Sequence, residues 1–187
     1  FGGYPSVPAV LAAQRQKIPT IIHEQNAILG KANVFLAPRA ERIALSHEDS
    51  IGLDKDDKLR AVVTGNPVRK GVADLFTEPY PDIQPDGAFN IFVMGGSLGA
   101  TVLSKVVPDA LAALPEQYRK RINVVQQCRE EDRENLKEKY KAAEIGADVS
   151  VFFNNVSEQL QKAHLIIARA GASTVSEVST AGRPAIY

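Results

Sequence analysis

The chain has 187 residues, enough for one ample domain or for parts of two. Its 22 acidic and 22 basic side chains balance, and this neutrality argues against a nucleic-acid-binding module. A single cysteine, Cys128, excludes an internal disulfide and is typical of a reducing compartment, while no apolar run approaches the ~20 residues of a transmembrane helix. The expectation is therefore a soluble, cytosolic protein.

The first half of the chain is predicted to alternate helices and strands. The spacing of apolar residues, together with Pro and Gly at the ends of elements, predicts the following order. It is a helix over 5–17, a strand over 18–23, a helix over 30–36, a strand over 42–46, a polar loop over 47–58 and a strand over 59–64. His23-Glu24-Gln25-Asn26 crowds four polar side chains at the carboxyl end of the first strand. Ligands bind at that end of the strands in open α/β sheets.

A segment with three prolines and little periodicity, 76–88, is predicted to be a linker. Beyond it the alternation resumes with a strand over 89–94, a helix over 100–114 interrupted by Pro108, a strand over 122–126, a charged helix over 129–143, a strand over 149–153, a helix over 157–163, a strand over 165–168, a helix over 174–181 and a final strand. This regularity predicts parallel, doubly wound sheets. Two such domains, over 1–75 and 89–187 and joined by the linker, would leave a cleft between them.

The second half is organised around a glycine-rich turn. An apolar strand breaks into Gly95, Gly96 and Gly99 before a helix begins, and glycine lets the backbone turn sharply and approach a ligand closely. Unpaired N–H groups at a helix start suit a phosphate. The pattern does not match G-x-G-x-x-G. It does not match a Walker loop either, because no Lys-Ser/Thr follows Gly99. A tight turn without a ligand therefore remains an alternative.

A second glycine turn, Arg169 to Ser173, is predicted at the carboxyl end of another strand, where it would converge with the first. The tetrapeptide that follows, Thr174 to Glu177, fits a capping box. Glu177 is therefore either a residue that closes a helix start or a member of a binding site.

The candidate metal motifs are weak. His23-Glu24 begins like the zincin H-E-x-x-H, but the fifth residue is Ala27, so a zinc pair on one helical face is impossible. Asp54-Lys55-Asp56 satisfies the D-x-D pattern of some glycosyltransferases, yet it lies in a loop rich in Asp and Lys, where a solvated turn is the better interpretation. His47 and His164 are interpreted as surface or edge residues.

Both ends of the sequence look cut. A glycine turn stands at the start with no strand before it, and the apolar run Pro184 to Tyr187 has no turn after it. The expectation is the middle of a longer protein.

Five motifs occur in the order and spacing of one enzyme family. They are Phe1-Gly-Gly-Tyr-Pro-Ser6, His23-Glu-Gln-Asn26, Gly65-Asn-Pro-Val-Arg69, Gly95-Gly-Ser-Leu-Gly-Ala100 and Arg169-Ala-Gly-Ala-Ser-Thr-Val-Ser-Glu177. Over essentially its whole length the chain resembles the MurG family, the N-acetylglucosaminyltransferases of bacterial peptidoglycan synthesis that make lipid II from lipid I. The resemblance implies a GT-B fold of two Rossmann-like domains, an acceptor domain and a donor domain, both incomplete here, with the nucleotide sugar between them.

The resemblance also implies roles for individual residues. Asn26 and Arg69 would lie near the donor's sugar and phosphates, and Ser97 would bond the diphosphate beside the phosphate loop of Gly95, Gly96 and Gly99. The backbone of Phe153 would meet the uracil, and Glu177 would accept from both ribose hydroxyls. The other nucleotide-lining positions would be Ala172, Ser173, Thr174, Val175 and Ser176. Residues on the acceptor side would be Gly2, Gly3, Tyr4, His23 and Glu24. Ser173 and Leu98 depart from residues common in the family.

The implied reaction is inversion at the anomeric carbon, with UDP as leaving group and with no obligatory metal or cofactor. The family's candidate base lies in a glycine loop upstream of this chain. His23 is the only histidine at the end of a predicted strand here, and a structural or acceptor-side role is favoured for it over that of the base.

The implied partners are UDP-N-acetylglucosamine, undecaprenyl-pyrophosphoryl-MurNAc-pentapeptide (lipid I) and, through parts outside this chain, the membrane surface, with no nucleic acid. The implied location is peripheral, on the cytoplasmic face of the bacterial inner membrane. The alternatives are another GT-B enzyme, such as a UDP-sugar 2-epimerase, and a UDP-sugar-binding module without turnover.

Overall fold

A computed structural model describes residues 3–96 and 101–187 of the chain. Contacts divide it into two compact units, Phe1–Pro67 and Val68–Tyr187. Each unit has a parallel sheet, and helices connect the strands. The prediction of parallel α/β sheets is confirmed. Within the described residues, no helix has both the length and the apolarity that crossing a bilayer requires.

The first unit is built on a three-stranded sheet in the order β1-β2-β3. Its elements are α1 (Val7–Arg15), β1 (Ile21–Glu24), α2 (Lys31–Leu36), β2 (Arg42–Leu45), α3 (Lys55–Lys58) and β3 (Ala61–Val63). Alternate residues of β1 and β2 are buried, so Ile22 and Ile43 lie side by side in register and form the core with Leu36. This alternation leaves His23 on the other face of β1 from Ile22.

The second unit has a five-stranded sheet in the order β6-β5-β4-β7-β8. Its elements are α4 (Lys70–Ala73), β4 (Phe89–Met94), α5 (Thr101–Ala112), α6 (Glu116–Arg119), β5 (Ile122–Gln127), α7 (Arg133–Ala142), β6 (Gly146–Ser150), α8 (Val156–Lys162), β7 (Leu165–Ala168), α9 (Ala172–Thr180) and β8 (Ala185–Ile186). The chain runs outward from β4 to β6 and then returns to β7 on the other side of β4. The carboxyl ends of β4 and β7 therefore form the switch point where such sheets bind ligands.

Strand β4 explains the continuous apolar run of the sequence, because both of its faces are covered. Ile91 and Val93 belong to one core layer, which includes Val107, Leu111, Val124, Leu136 and Tyr140. Phe92 and Met94 belong to the other, which includes Leu160, Ile166 and Val178. Burial of this strand on both faces fixes the position of the glycine turn that follows it.

The boundary between the units falls earlier than the predicted linker. Val72 and Leu75 are buried in the second unit's core, so the chain joins that unit directly after Pro67. Within the proline-rich segment, the Tyr80 hydroxyl donates to the carbonyl of His164 at 2.8 Å, and the Arg183 guanidinium lies 5.7 Å from the Tyr80 ring centroid. Segment 76–88 is therefore tied to the second unit by specific contacts.

Three local predictions were wrong. Pro108 does not interrupt α5, which runs through it, and Pro108 is buried. Strand β6 begins at Gly146, before the apolar run, because Gly146 pairs with Asn123 of β5. His164 is only 4% exposed, whereas His47 is exposed as expected. The Nδ1 atom of His164 accepts the Asn90 N–H at 2.8 Å, because the residue immediately precedes β7 beside the central strand.

Candidate functional site

A cavity of about 400 Å³ lies at the carboxyl ends of β4 and β7 in the second unit. Residues predicted to bind the nucleotide line it: Arg69, Gly96, Phe153, Ala172, Ser173, Thr174 and Glu177. Val175 and Ser176 lie on the same helix, α9, and the Ser176 hydroxyl donates to the Ala172 carbonyl at 2.9 Å. Ser97 and Gly99 lie outside the described residues. The structure therefore brings together most of the predicted set that it describes in this unit.

Arg69 and Glu177 form a two-point ion pair inside this cavity. Arg69 Nε donates to Glu177 Oε1 at 2.6 Å, and Nη2 donates to Oε2 at 2.8 Å. The Glu177 side chain is only 8% exposed, whereas that of Arg69 is 59% exposed. The hydrogen bond to Glu177 is the main reason that the pKa of Arg69 is raised. Arg69 thus supplies a counter-charge to a buried carboxylate.

The capping-box interpretation of Glu177 was wrong. Helix α9 begins at Ala172, with Gly171 as its N-cap and no side-chain cap hydrogen bond. Thr174 is therefore already inside the helix, and the Glu177 carboxylate faces Arg69. The helix starts two residues earlier than predicted because Gly171, in an extended conformation, ends the turn. Its first N–H groups have no acceptor within the helix and lie at the cavity wall, where they can serve an anion.

The glycine turn after β4 has a conformational requirement at Gly96. Its φ is 78°, in the left-handed region that residues with a side chain rarely adopt. A Cβ added there would meet nothing within 4 Å, so backbone conformation rather than space calls for glycine. Gly95 precedes it directly after β4.

Two phenylalanines follow β6 at the cavity. The Phe153 ring packs edge-on against Phe92 of the core, with centroids 5.9 Å apart. This contact holds the Phe153 side chain and leaves its backbone for the predicted contact with the base. Phe152 also lines the cavity and is exposed, although the sequence motifs do not include it. Its signal was a pair of adjacent aromatic residues at the carboxyl end of the strand predicted over 149–153.

The first unit has its own polar cavity, of about 580 Å³, beside the carboxyl end of β1. Its lining includes the predicted residues Gly3, Tyr4, His23, Glu24 and Asn26. Gly2 lies outside the described residues. The cavity is lined by hydrogen-bonding groups suited to a polyhydroxylated or amide-bearing ligand.

His23 is engaged with the backbone at this cavity. Its Nε2 lies 3.1 Å from the Gly65 carbonyl and 3.5 Å from the Ser46 hydroxyl. A carbonyl only accepts, so the first contact requires the proton on Nε2. This arrangement favours a structural or acceptor-side role for His23 over proton abstraction by Nε2.

Asp54 is the N-cap residue of helix α3. Its Oδ1 accepts the Asp57 N–H at 2.7 Å and thereby caps α3. Asp56 is exposed in the first turn of that helix. Across 3–96 and 101–187, no group of three or more His, Cys, Asp or Glu side chains could hold a metal ion.

Comparison with known proteins agrees with the motifs. The family model described as the glycosyltransferase family 28 C-terminal domain matches residues 90–187, and the N-terminal domain model of the same family matches residues 1–45. A curated Rhodospirillum centenum protein is 50% identical over 186 residues, which is 100% of this chain and 49% of that protein. It is named UDP-N-acetylglucosamine–N-acetylmuramyl-(pentapeptide) pyrophosphoryl-undecaprenol N-acetylglucosamine transferase.

Solved structures agree as well. The crystal structure of Acinetobacter baumannii MurG matches with a TM-score of 0.75 at 33% identity, over 100% of this chain and 50% of that one. A Neisseria meningitidis UDP-GlcNAc 2-epimerase, at 17% identity with a TM-score of 0.57, covers 96% of this chain and 54% of its own and shares the fold. The resemblance and the GT-B fold class are confirmed, and the chain spans about half the length of the curated relatives it matches. It belongs to glycosyltransferase family 28.

Proposed function

We propose that the intact protein is an inverting glycosyltransferase. It moves N-acetylglucosamine from UDP-N-acetylglucosamine to lipid I and so forms lipid II for the peptidoglycan of the cell wall. The observation that carries the proposal is the Arg69–Glu177 pair in the cavity at the switch point. The name of the 50% identical relative supports the choice of donor and acceptor.

Glu177 can serve a nucleoside while it is paired with Arg69. A carboxylate offers about four lone-pair sites, and Arg69 occupies one on each oxygen. One site on each oxygen remains for a hydroxyl, which matches the two neighbouring hydroxyls of a ribose. Because Arg69 keeps the carboxylate in place before the ligand arrives, less conformational freedom is lost on binding.

The positive groups of this cavity suit a diphosphate leaving group. Departure of UDP places charge on the β-phosphate, and N–H groups at the start of α9 together with Arg69 can stabilise that charge. Such groups supply the positive field that a metal supplies in other transferases. We accordingly propose that no metal or cofactor is obligatory.

The acceptor's sugar hydroxyl would attack the anomeric carbon from the face opposite UDP, which inverts the configuration. We assign no catalytic base among these residues, and His23 is retained as a structural or acceptor-side group because its Nε2 bonds Gly65. We further propose peripheral association with the cytoplasmic face of the inner membrane.

The test is a transfer assay on the intact protein with UDP-N-acetylglucosamine and a lipid I analogue. Formation of the disaccharide product is expected. Conversion of the donor to its C2 epimer without an acceptor would replace the proposal with an epimerase. Binding of the donor without any turnover would leave a binding module.

A further inference from the structure

His164 is a buried titratable residue that the proposed reaction does not use. It directly precedes β7, at the amino end of the strands, whereas the cavity lies at their carboxyl ends. Its Nδ1 accepts the Asn90 N–H at 2.8 Å, and its Nε2 lies 3.4 Å from the Asp82 carbonyl. An N–H only donates and a carbonyl only accepts, so both contacts require the same neutral tautomer, with the proton on Nε2.

The imidazole joins the proline-rich segment to the sheet. We call residues 79–87 the strap. The Tyr80 hydroxyl donates to the His164 carbonyl at 2.8 Å, and the two rings meet edge-on with centroids 6.1 Å apart. Phe89, the first residue of β4, stacks on the imidazole with centroids 5.2 Å apart. His164 therefore contacts the strap and the central strand at once.

Proton uptake is incompatible with this arrangement. Histidine changes its charge within about pH 5 to 8, and the imidazolium carries an N–H on both nitrogens. Nδ1 could then no longer accept, and it would direct a donor at the Asn90 N–H. Because His164 is 4% exposed, water cannot replace the lost bond while the ring stays in place. The protonated ring must leave its position beside Asn90.

The charged neighbours do not compensate a positive imidazole. The ionisable residues next to it are Tyr80 and Asp82 of the strap, Lys162 at the end of α8 and Arg183 before β8. Asp82 faces the ring with its backbone carbonyl, while its carboxylate accepts from the Gln84 side chain. The Arg183 guanidinium lies 5.7 Å from the centroid of the Tyr80 ring, which also contacts the imidazole. A charged His164 would therefore add a second cation beside Tyr80.

The far end of the strap has an anchor that does not titrate. Arg121 Nε donates to the Gly87 carbonyl and Nη2 donates to the Gln84 carbonyl, both at 2.9 Å. An arginine keeps its charge at every pH that a folded protein meets. Acid therefore acts on one end of the strap and leaves the other attached.

We propose that His164 is a pH-sensitive switch that holds residues 80–83 of the strap against the second unit. The neutral imidazole keeps these residues in place. On protonation the ring leaves Asn90, residues 80–83 are released, and residues 84–87 stay on Arg121. The switch lies wholly in the second unit and is independent of the ligand bound at the cavity.

Nuclear magnetic resonance relaxation of the ¹⁵N-labelled intact protein tests this at about pH 7.5 and about pH 5. The backbone order parameters of Tyr80, Asp82 and Ile83 should be near ~0.85 at the higher pH and fall below ~0.6 at the lower. Those of Gln84 and Gly87 should stay high. Unchanged order at 80–83, or loss of order along the whole strap, would overturn the proposal.

A substitution that cannot titrate provides the second test. In His164→Asn, the side-chain oxygen can accept the Asn90 N–H and takes up no proton, so residues 80–83 should stay ordered at both pH values. His47→Asn is the matched control, because it makes the same change at an exposed histidine and should behave as wild type. Release of the strap by acid in a folded His164→Asn protein would contradict the proposal.

A third measurement uses wild-type protein and so does not depend on the folding of a variant. The imidazole ¹⁵N signals of His164 should show an unprotonated Nδ1 and a protonated Nε2 at neutral pH. The Asn90 amide, corrected for the pH dependence of exchange in an unfolded chain, should exchange about 5–150-fold faster once His164 is protonated. A protonated Nδ1 at neutral pH, or strap release with a midpoint different from that of His164, would refute the switch.

Discussion

Arg69 and Glu177 lie 108 positions apart in the sequence and meet through two hydrogen bonds of 2.6 and 2.8 Å. Arg69 precedes α4, and Glu177 lies in α9; these two helices pack in the same unit. The pair therefore ties the start of the second unit to the cavity at its switch point.

Glu177→Ala should weaken UDP binding to the intact protein. Charge-assisted hydrogen bonds are worth about 1.5–3 kcal/mol, so the dissociation constant should rise by about 10–150-fold. Calorimetry with UDP measures the change. An unchanged affinity with a lower melting temperature would show that Glu177 only anchors Arg69.

The ion pair should also appear as a coupling in stability. Arg69→Ala, Glu177→Gln and the double variant form a cycle, with an expected coupling of about 0.5–2 kcal/mol. The value is limited because Arg69 is largely exposed and solvent screens its charge. Urea unfolding of the four proteins measures it. Strictly additive effects would mean that the pair contributes nothing to the fold.

Donor binding and transfer should persist without a divalent ion. The intact Asp54→Asn, Asp56→Asn double variant should keep its activity, because Asn also caps helices well. Asp54→Ala serves as the control: it should lose about 1 kcal/mol of stability with the loss of the cap, yet still bind UDP. Donor binding abolished by EDTA would contradict this prediction, as would an inactive but folded double variant.

Glu24 should make stability depend on pH in the acid range. Its pKa is lower in the folded chain than in the unfolded one, since the donors from Gly30, Asn26 and Asn33 outweigh burial. Its contribution is therefore complete above the ordinary glutamate pKa and is lost as the pH falls through the lowered folded value. Urea unfolding should show wild-type protein losing more stability than Glu24→Gln between neutral and acid pH. Parallel pH profiles would refute this linkage.

The sequence by itself determined the class of the fold, for reasons that are local. A strand buried on both faces must be apolar throughout, and glycine is needed where the backbone turns with positive φ, so β4 and Gly96 are visible in the pattern. The sequence also shows His23, Glu24 and Asn26 close together at the carboxyl end of one predicted strand. Ligands bind at that end of the strands in open α/β sheets, so the pattern alone marks these residues as site candidates.

Only the tertiary structure decided what those polar residues do. Glu177 fitted a helix cap on spacing alone, and its pairing with Arg69 depends on α4 packing beside α9. His164 had no visible partner until the chain order of the sheet placed it beside Asn90. The free energy of a buried charge or donor depends on whether a partner lies within hydrogen-bond distance, and residues distant in sequence meet only when the sheets have formed.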